Sequence, residues 1–265
     1  MKYFSTKLQI EWHHYLVYIV NNLLGLLTSL IPICAFQFIW SALYESGQSL
    51  SVDYNLNEMK LYSLVAIGVS LIYGNSVIET LGLKVMNGNI VFDFIQPKSV
   101  YISVLIYDIC RIIVSIFTHF IPVFLITIFM FSISLKSIQL VGAIKFIVLI
   151  FIGYLIMFSF CFLVSLLSAW ITNIYNSRFM LDQVLRVISG AIVPLWMWPN
   201  DLKNIILHTP FPYIISAPIA FLIKNKYEYS FTQVIQNQLI WFGIILVVNI
   251  WLYRLFRKKL NIQGG

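Results

Sequence analysis

The few charged residues of this chain divide it into long uncharged stretches, and this spacing limits its fold more than any other feature. A charged side chain at the centre of a bilayer costs about 2.5 to 3.5 kcal/mol on insertion scales. With 60% hydrophobic and 10% charged residues, the chain is predicted to be an all-α membrane protein. The uncharged stretches cover residues 12–44, 61–78, 112–135, 146–177, 187–200, 204–223 and 229–253.

One of these stretches cannot form a straight helix. Five of the eight prolines lie between residues 194 and 218, and each removes a backbone donor and obstructs the helical turn before it. We therefore expect two short apolar helices that enter the membrane and return to the same side, rather than a seventh span.

The distribution of basic residues supports six spans. With six, both termini share one side, and that side collects eleven of the seventeen Lys and Arg residues, including the cluster from Arg254 to Lys259. The positive-inside rule then places both termini in the cytoplasm, whereas a seventh span would send that cluster outside.

These arguments predict a single transmembrane domain over residues 1–265 with six helices. The fifth span needs residues 179–186 for sufficient length, and Asp182 and Arg186 are spaced to pair at i and i+4. A re-entrant helical hairpin connects helices 5 and 6 outside, in segment 199–229, and a cytoplasmic loop covers 84–100. The predicted spans are 15–43, 60–83, 101–131, 139–171, 179–198 and 230–254.

Several kinds of chemistry find no support in the sequence. There is no GxxxxGK[ST] loop to hold ATP phosphates, and no HExxH or GxSxG pattern. The adjacent His13 and His14 point about 100° apart on a helix and cannot share a metal ion. Cys34, Cys110 and Cys161 are widely separated, and we interpret them as packing residues. We expect no metal site, no nucleic-acid partner and no cofactor on this chain.

The cytoplasmic loop after the second span contains an apolar element in an exposed position. Gly88 and Asn89 favour a turn, Pro97 ends the element, and Asp93 is embedded among its apolar residues. An apolar patch at this face requires either a protein partner or the lipid interface. The element comprises Ile90, Val91, Phe92, Phe94 and Ile95.

The motifs in two regions resemble a known family. The loop NGNIVFDFIQPKS is similar to the G-x-(I/L)-x-x-(F/L)-(L/I)-x-(R/Q)-P loop of ABC-2 type permeases, with Gln96 where Arg is common. The prolines and aromatic residues from Ser189 to Pro218 resemble the family's SG…P(L/F)…(F/W)P…(L/T)PF.Y…P pattern. The tail 260–265 is similar to its L-x-(V/I)-x-G-G ending.

The resemblance implies a role for each motif. The loop would be a coupling helix that docks in a separate ATP-binding subunit, comprising Gly88, Asn89, Ile90, Val91, Phe92, Asp93, Phe94, Ile95, Gln96 and Pro97. The proline-rich segment would form an extracellular gate, comprising Pro194, Trp198, Pro199, Pro210, Phe211, Pro212, Tyr213 and Pro218. Two ATP-binding subunits, which bind ATP and Mg, would act with two permeases, identical or related, in a bacterial plasma membrane.

Polar residues inside the spans have two interpretations. Asn21, Asn22, Gln37 and Asn75 are candidates to line a substrate pathway, although such residues more often hold helices together, as Asn249 does in the same interpretation. Asp108 and Arg111 are spaced to pair at i and i+3 near the interface. Lys84 is expected within reach of Glu79.

The predicted function is a permease subunit that exports a hydrophobic or amphipathic substrate, such as a drug, peptide or lipid. Two alternatives remain open: an immunity or sensor protein that binds a membrane-active peptide, and an ion-coupled secondary transporter. The first would not move substrate on ATP hydrolysis, and the second would need no ATPase.

Overall fold

A computed structural model describes residues 2–46, 54–73, 76–95, 99–168, 174–224 and 227–263. The structure is 84% helical, and these ranges contain no strand. The helices are α1 (Lys2–Val17), α2 (Ile19–Glu45), α3 (Leu56–Ile72), α4 (Ser76–Met86), α5 (Val91–Ile95), α6 (Val100–Ser115), α7 (Ile121–Phe131), α8 (Leu140–Leu167), α9 (Ile174–Ile188), α10 (Asn200–Leu207), α11 (Ser216–Lys224) and α12 (Phe231–Gln263).

Five helices in the described ranges are long and apolar enough to cross a bilayer. They correspond to the predicted spans 1, 2, 3, 4 and 6, and they confirm an all-α membrane protein. At 1.5 Å per residue, even the 27 residues of α2 exceed the roughly 30 Å hydrocarbon core. The five are Ile19–Glu45, Leu56–Val85, Val100–Phe131, Leu140–Leu167 and Phe231–Lys258.

The fifth predicted span, 179–198, is not a single helix in the structure. Helix α9 ends at Ile188, because Gly190 adopts a left-handed conformation (φ 80°). The Gly190 N–H donates to the Val187 carbonyl and the Ala191 N–H to the Arg186 carbonyl, which is the Schellman pattern that closes a helix. The apolar residues after Gly190 form turns and a short 3-10 helix, Leu195–Met197, but no α-helix, although their composition is that of a span. The predicted pair within α9 is confirmed, with Arg186 Nε 2.9 Å from Asp182 Oδ2.

The second long span, Leu56–Val85, comprises α3 and α4 on either side of residues 74–75, which lie outside the described ranges. It forms the centre of the bundle, and 87% of the residues in its most apolar stretch are buried. Its first part, α3, packs against α2, α7 and α11, whereas α4 packs against α8 and α9. Tyr62 is fully buried, and its hydroxyl donates to the Gly190 carbonyl at 2.8 Å. The end of α9 is therefore fixed directly to this central helix.

The third long helix contains a local change of geometry. Residues Ile116–Phe120 form a π turn between α6 and α7, and the Ile121 N–H donates to the Ile116 carbonyl. Pro122 follows at once; it has no N–H, and its ring obstructs the turn before it. Single π turns inside α-helices are common at functional sites.

Candidate functional sites at the ends of the bundle and within it

The predicted coupling loop forms a tight turn followed by one short helix. Gly88 has a left-handed backbone (φ 71°), and the Ile90 N–H donates to the Lys84 carbonyl at 3.1 Å. Helix α5 then begins at Val91. Of the predicted docking residues, Gln96 and Pro97 lie outside the described residues, as does the side chain of Ile95.

Two contacts hold this loop to the bundle. Lys84 Nζ lies 2.9 Å from Asp93 Oδ2, a partner within the loop that the sequence does not predict. The Phe94 ring packs against Tyr253 and Phe256, with centroids 6.0 and 6.3 Å away. Helix α5 is thus tied to α4 at one point and to α12 at another.

The apolar residues of the loop therefore divide into two groups. Ile90 is fully buried, and Phe94 is half-buried against α12. Phe92, in contrast, has 68% of its surface exposed and Val91 50%. Val91 and Phe92 therefore form an exposed apolar tip on a loop that is held to the bundle at two points. Exposed apolar surfaces often mark sites where a partner protein binds.

The proline-rich segment contains two short α-helices, and the connection between them includes a 3-10 helix at Phe211–Tyr213. Helix α10 carries exposed side chains, whereas the side chains of α11 from Ser216 to Ile223 are buried. Helix α11 packs against α8 and α3, and the Ser216 N–H donates to the Ser189 carbonyl at 3.2 Å. The sequence-based expectation of two short helices agrees with this arrangement.

Tyr213 organises the centre of this segment. Its hydroxyl donates to the Leu207 carbonyl at 2.8 Å and accepts from Asn237 Nδ2 at 3.1 Å. Burial, with a smaller contribution from Tyr229, raises the pKa of Tyr213 to about 12. Gln238 Nε2 donates to the Tyr213 carbonyl at 2.7 Å, which fixes the segment to α12.

The remaining predicted gate residues differ in exposure. Pro194, Pro210, Pro212 and Pro218 are buried, whereas Pro199 is exposed and Trp198 is half-buried. Phe211 packs edge-on against Phe160 with centroids 5.4 Å apart. Most of the predicted gate is therefore integral to the packing of the bundle.

Stacked aromatic rings and ion pairs lie beside this segment. Tyr54 stacks on Trp196 with ring centroids 4.3 Å apart. Lys224 Nζ lies 4.4 Å from the Tyr54 ring centroid and 3.3 Å from Glu58 Oε2. A second ion pair joins Lys203 to Glu228.

The four pathway candidates have different surroundings. Gln37 is fully buried, and its Nε2 donates to the Lys60 carbonyl and the Ser63 hydroxyl, both at 3.1 Å. It therefore joins α2 to α3. Asn22 Nδ2 donates to the Tyr15 carbonyl at 2.9 Å, the Asn21 side chain is exposed, and Asn75 lies outside the described residues.

Comparison with known families identifies the family to which this chain belongs. A family model described as ABC-2 family transporter protein matches residues 30–264, which is most of the chain. The chain belongs to the ABC-2 transporter family. Membership makes it the membrane component of an ABC transporter, not the ATPase, and the family normally works with an ATP-binding subunit. No curated protein matches the chain.

This ABC-2 chain also contains a buried polar network that the sequence predicts only in part. Arg111 and Asp108 pair at 3.2 Å, as their spacing predicts. Protein covers the pair, since only 5% of the Asp108 side chain is exposed. The Tyr154 hydroxyl donates to Asp108 Oδ2 at 2.9 Å, and Arg111 Nη2 donates to the Ile72 carbonyl at 3.2 Å.

This network connects α6, α8 and the central helix of the ABC-2 chain. The spacing of Asp108 and Arg111 at i and i+3 predicts their contact with each other. Their helix partners could not be read from spacing, because they come from tertiary packing.

Proposed function

We propose that this chain is the permease subunit of an ATP-driven exporter that moves a hydrophobic or amphipathic substrate out of the cell. Separate ATP-binding subunits, two per complex, would supply the energy and would carry ATP and Mg. A second permease, identical or related, would complete the pathway in the plasma membrane of a bacterium. The observation that carries the proposal is the exposed tip of Val91 and Phe92 on a firmly held loop.

The topology that this function needs is six crossings in a single transmembrane domain. In this proposal α9 makes the fifth crossing together with the non-α-helical residues after Gly190. Helices α10 and α11 form the re-entrant hairpin on the outer face. The contact of α5 with the C-terminal part of α12, and the excess of basic residues on that side, support cytoplasmic termini.

The proposed mechanism uses the loop as a rigid lever. When the ATP-binding subunits close, they would push on Phe92 and Val91. The contacts of Lys84 with Asp93 and of Phe94 with Phe256 would pass this displacement to α4 and α12. Because α4 and α3 belong to the buried central helix, the bundle would rock and alter the gate that Tyr213 organises.

The test of the docking role separates the exposed ring from the anchored ring. Phe92→Asp should reduce co-purification of the ATP-binding subunit with the tagged permease at least tenfold. Membrane abundance of the permease should stay unchanged, because 68% of the Phe92 surface is exposed. Phe92→Leu keeps the apolar surface and should retain the complex.

Leu202→Asp is the matched control at the opposite end of the bundle, since Leu202 is an exposed apolar residue of α10. It should not affect co-purification. Equal loss with Leu202→Asp and Phe92→Asp, or full retention with Phe92→Asp, would contradict the assignment of the loop.

Transport itself requires a second measurement. The purified complex in lipid vesicles should move an amphipathic probe in an ATP-dependent manner, and movement should stop when the ATPase is inactivated. Probe binding without ATP-dependent movement would favour the sensor alternative. Movement driven by an ion gradient without the ATPase would favour a secondary transporter.

A further inference from the structure

A cavity of about 280 Å³ lies within the bundle, between α2, α3 and the third long helix at its π turn. Its walls are mostly apolar and include Leu64 and Phe124. Four polar side chains also line it, namely Ser29, Arg111, Ser115 and His119. At about 30 Å³ per water molecule, the space corresponds to roughly nine waters, or to a small polar head with a short length of alkyl chain.

Two glycines allow residues of the π turn to lie close to the helices that border the cavity. The Phe120 ring, at the end of the π turn, lies directly on Gly68 of α3, where an added Cβ would come within 2.6 Å of the ring. This close contact turns the π segment toward α3. On the opposite wall, a Cβ added at Gly25 would lie 3.7 Å from His119 Nε2.

Arg111 is held at the edge of this cavity with part of its guanidinium unused. Nε and Nη2 contact Asp108 Oδ1, both at 3.2 Å, and Nη2 also donates to the Ile72 carbonyl. In the described part of the chain, no acceptor from the protein contacts Nη1. A guanidinium carries five N–H donors in fixed directions, so donors remain for a ligand.

Ser115 supplies a second donor one helical turn farther along the same face. Serine hydroxyls in helices commonly donate to the carbonyl four residues earlier, as Thr118 does to Val114 at 2.8 Å. Ser115 makes no such bond to any residue that the structure describes, although it lines the cavity. Arg111 and Ser115 thus present two hydrogen-bond donors at i and i+4 to one space.

The charge of the site selects among ligands. Asp108 neutralises Arg111, and its carboxylate would repel a second anion. The positive guanidinium would equally repel a cation. Hydrogen-bond donors combined with a balanced charge suit an uncharged, oxygen-bearing group such as an ester carbonyl or a hydroxyl, and the apolar walls suit hydrocarbon.

We propose that this cavity binds the uncharged, oxygen-bearing head of a single-chain amphiphile, with Arg111 Nη1 and Ser115 Oγ as the donors. The site does not depend on the proposed export function, because binding concerns the permease alone. The bound molecule can be cargo or a bilayer component, and its head chemistry is the same in either case.

The experiment uses the full-length permease in nanodiscs without any ATP-binding subunit. The probe is dodecanoyl glycerol with a photoreactive diazirine in its chain, and crosslinked peptides are identified by mass spectrometry. We expect crosslinks concentrated in α2, α3 and the third long helix. Unlabelled dodecanoyl glycerol should compete at least tenfold better than dodecanesulfonate or dodecyltrimethylammonium.

Two variants locate the site. Ser115→Leu fills the cavity without altering the ion pair and should reduce crosslinking at least fivefold. Thr28→Ala lies on the exposed side of α2 and is the matched control that should leave crosslinking unchanged. Unchanged crosslinking in Ser115→Leu, or equal competition by either charged amphiphile, would overturn the proposal. Export assays play no part in this result, so the two proposals can fail independently.

Discussion

Two glycines of this chain have opposite structural roles, and the difference is visible only in three dimensions. Gly190 has a positive φ, and an added Cβ would lie 3.0 Å from the Ser216 Cβ and 3.2 Å from the Tyr62 hydroxyl. Gly243, inside α12, has nothing within 4 Å of an added Cβ. The first is required by its conformation and surroundings, whereas the second is not.

Gly190→Ala should therefore destabilise the protein by about 1 to 3 kcal/mol, because alanine is strained at positive φ and has no free space. Gly243→Ala, the matched control, should be neutral or should stabilise by about 0.5 to 1 kcal/mol through helix propensity. Unfolding in mixed micelles with increasing SDS measures both. Equal effects of the two changes would contradict the role of Gly190 as a helix terminator.

The buried pair of Asp108 and Arg111 permits a second prediction at this scale. Arg111→Leu should cost about 3 to 5 kcal/mol, because it leaves a buried carboxylate without its partner. The double variant with Asp108→Leu should recover much of that loss, since no uncompensated charge remains. The same SDS unfolding assay measures the recovery, and a double variant no more stable than Arg111→Leu would count against a mainly electrostatic role.

At the scale of helices, the sequence predicts well where the long helices lie, but it does not predict where α9 ends. Span 101–131 lies within the long helix Val100–Phe131, and span 230–254 begins one residue before the helix Phe231–Lys258, because uncharged runs must be covered by lipid or protein. The end of α9 is not predicted, since the apolar residues after Gly190 continue the pattern of a span. Spacing does not show that Gly190 ends the helix there with a left-handed backbone, nor that the Tyr62 hydroxyl donates to its carbonyl.

The sequence likewise predicts only part of the coupling loop and of the cavity. The turn at Gly88 and the apolar element after it follow from local sequence. That Phe94 is an anchor and Phe92 a free tip depends on where α12 passes, which no local pattern contains. The cavity at Ser115 likewise arises from the packing of three helices.

The contact between α8 and α11 permits a prediction at the scale of helices. Gly142 of α8 lies so close to α11 that an added Cβ would be 2.5 Å from the Phe221 carbonyl oxygen. Gly142→Ala should force the helices apart and destabilise the bundle by about 1 to 3 kcal/mol. Faster hydrogen exchange of the α11 amides measures the separation, and exchange as slow as in the unmodified chain would contradict it.

For the whole molecule, the proposed sidedness is directly testable. After replacement of the three native cysteines, Leu202→Cys should react with a membrane-impermeant maleimide in intact cells. Phe92→Cys should react only after the cells are permeabilised, because the coupling loop is proposed to face the cytoplasm. Both side chains are exposed, so a difference reports the side of the membrane and not burial. The reverse pattern would invert the orientation.

The burial of the second long helix also bears on how this chain can vary during evolution. Protein surrounds Leu56–Val85 on nearly every side, so each substitution there must match the volume of several neighbours at once. Outward residues of α2 and α12, such as Leu27 and Val247, need only remain apolar. Homologous sequences should therefore drift freely along α2 and α12, while the central helix changes slowly and together with its contacts.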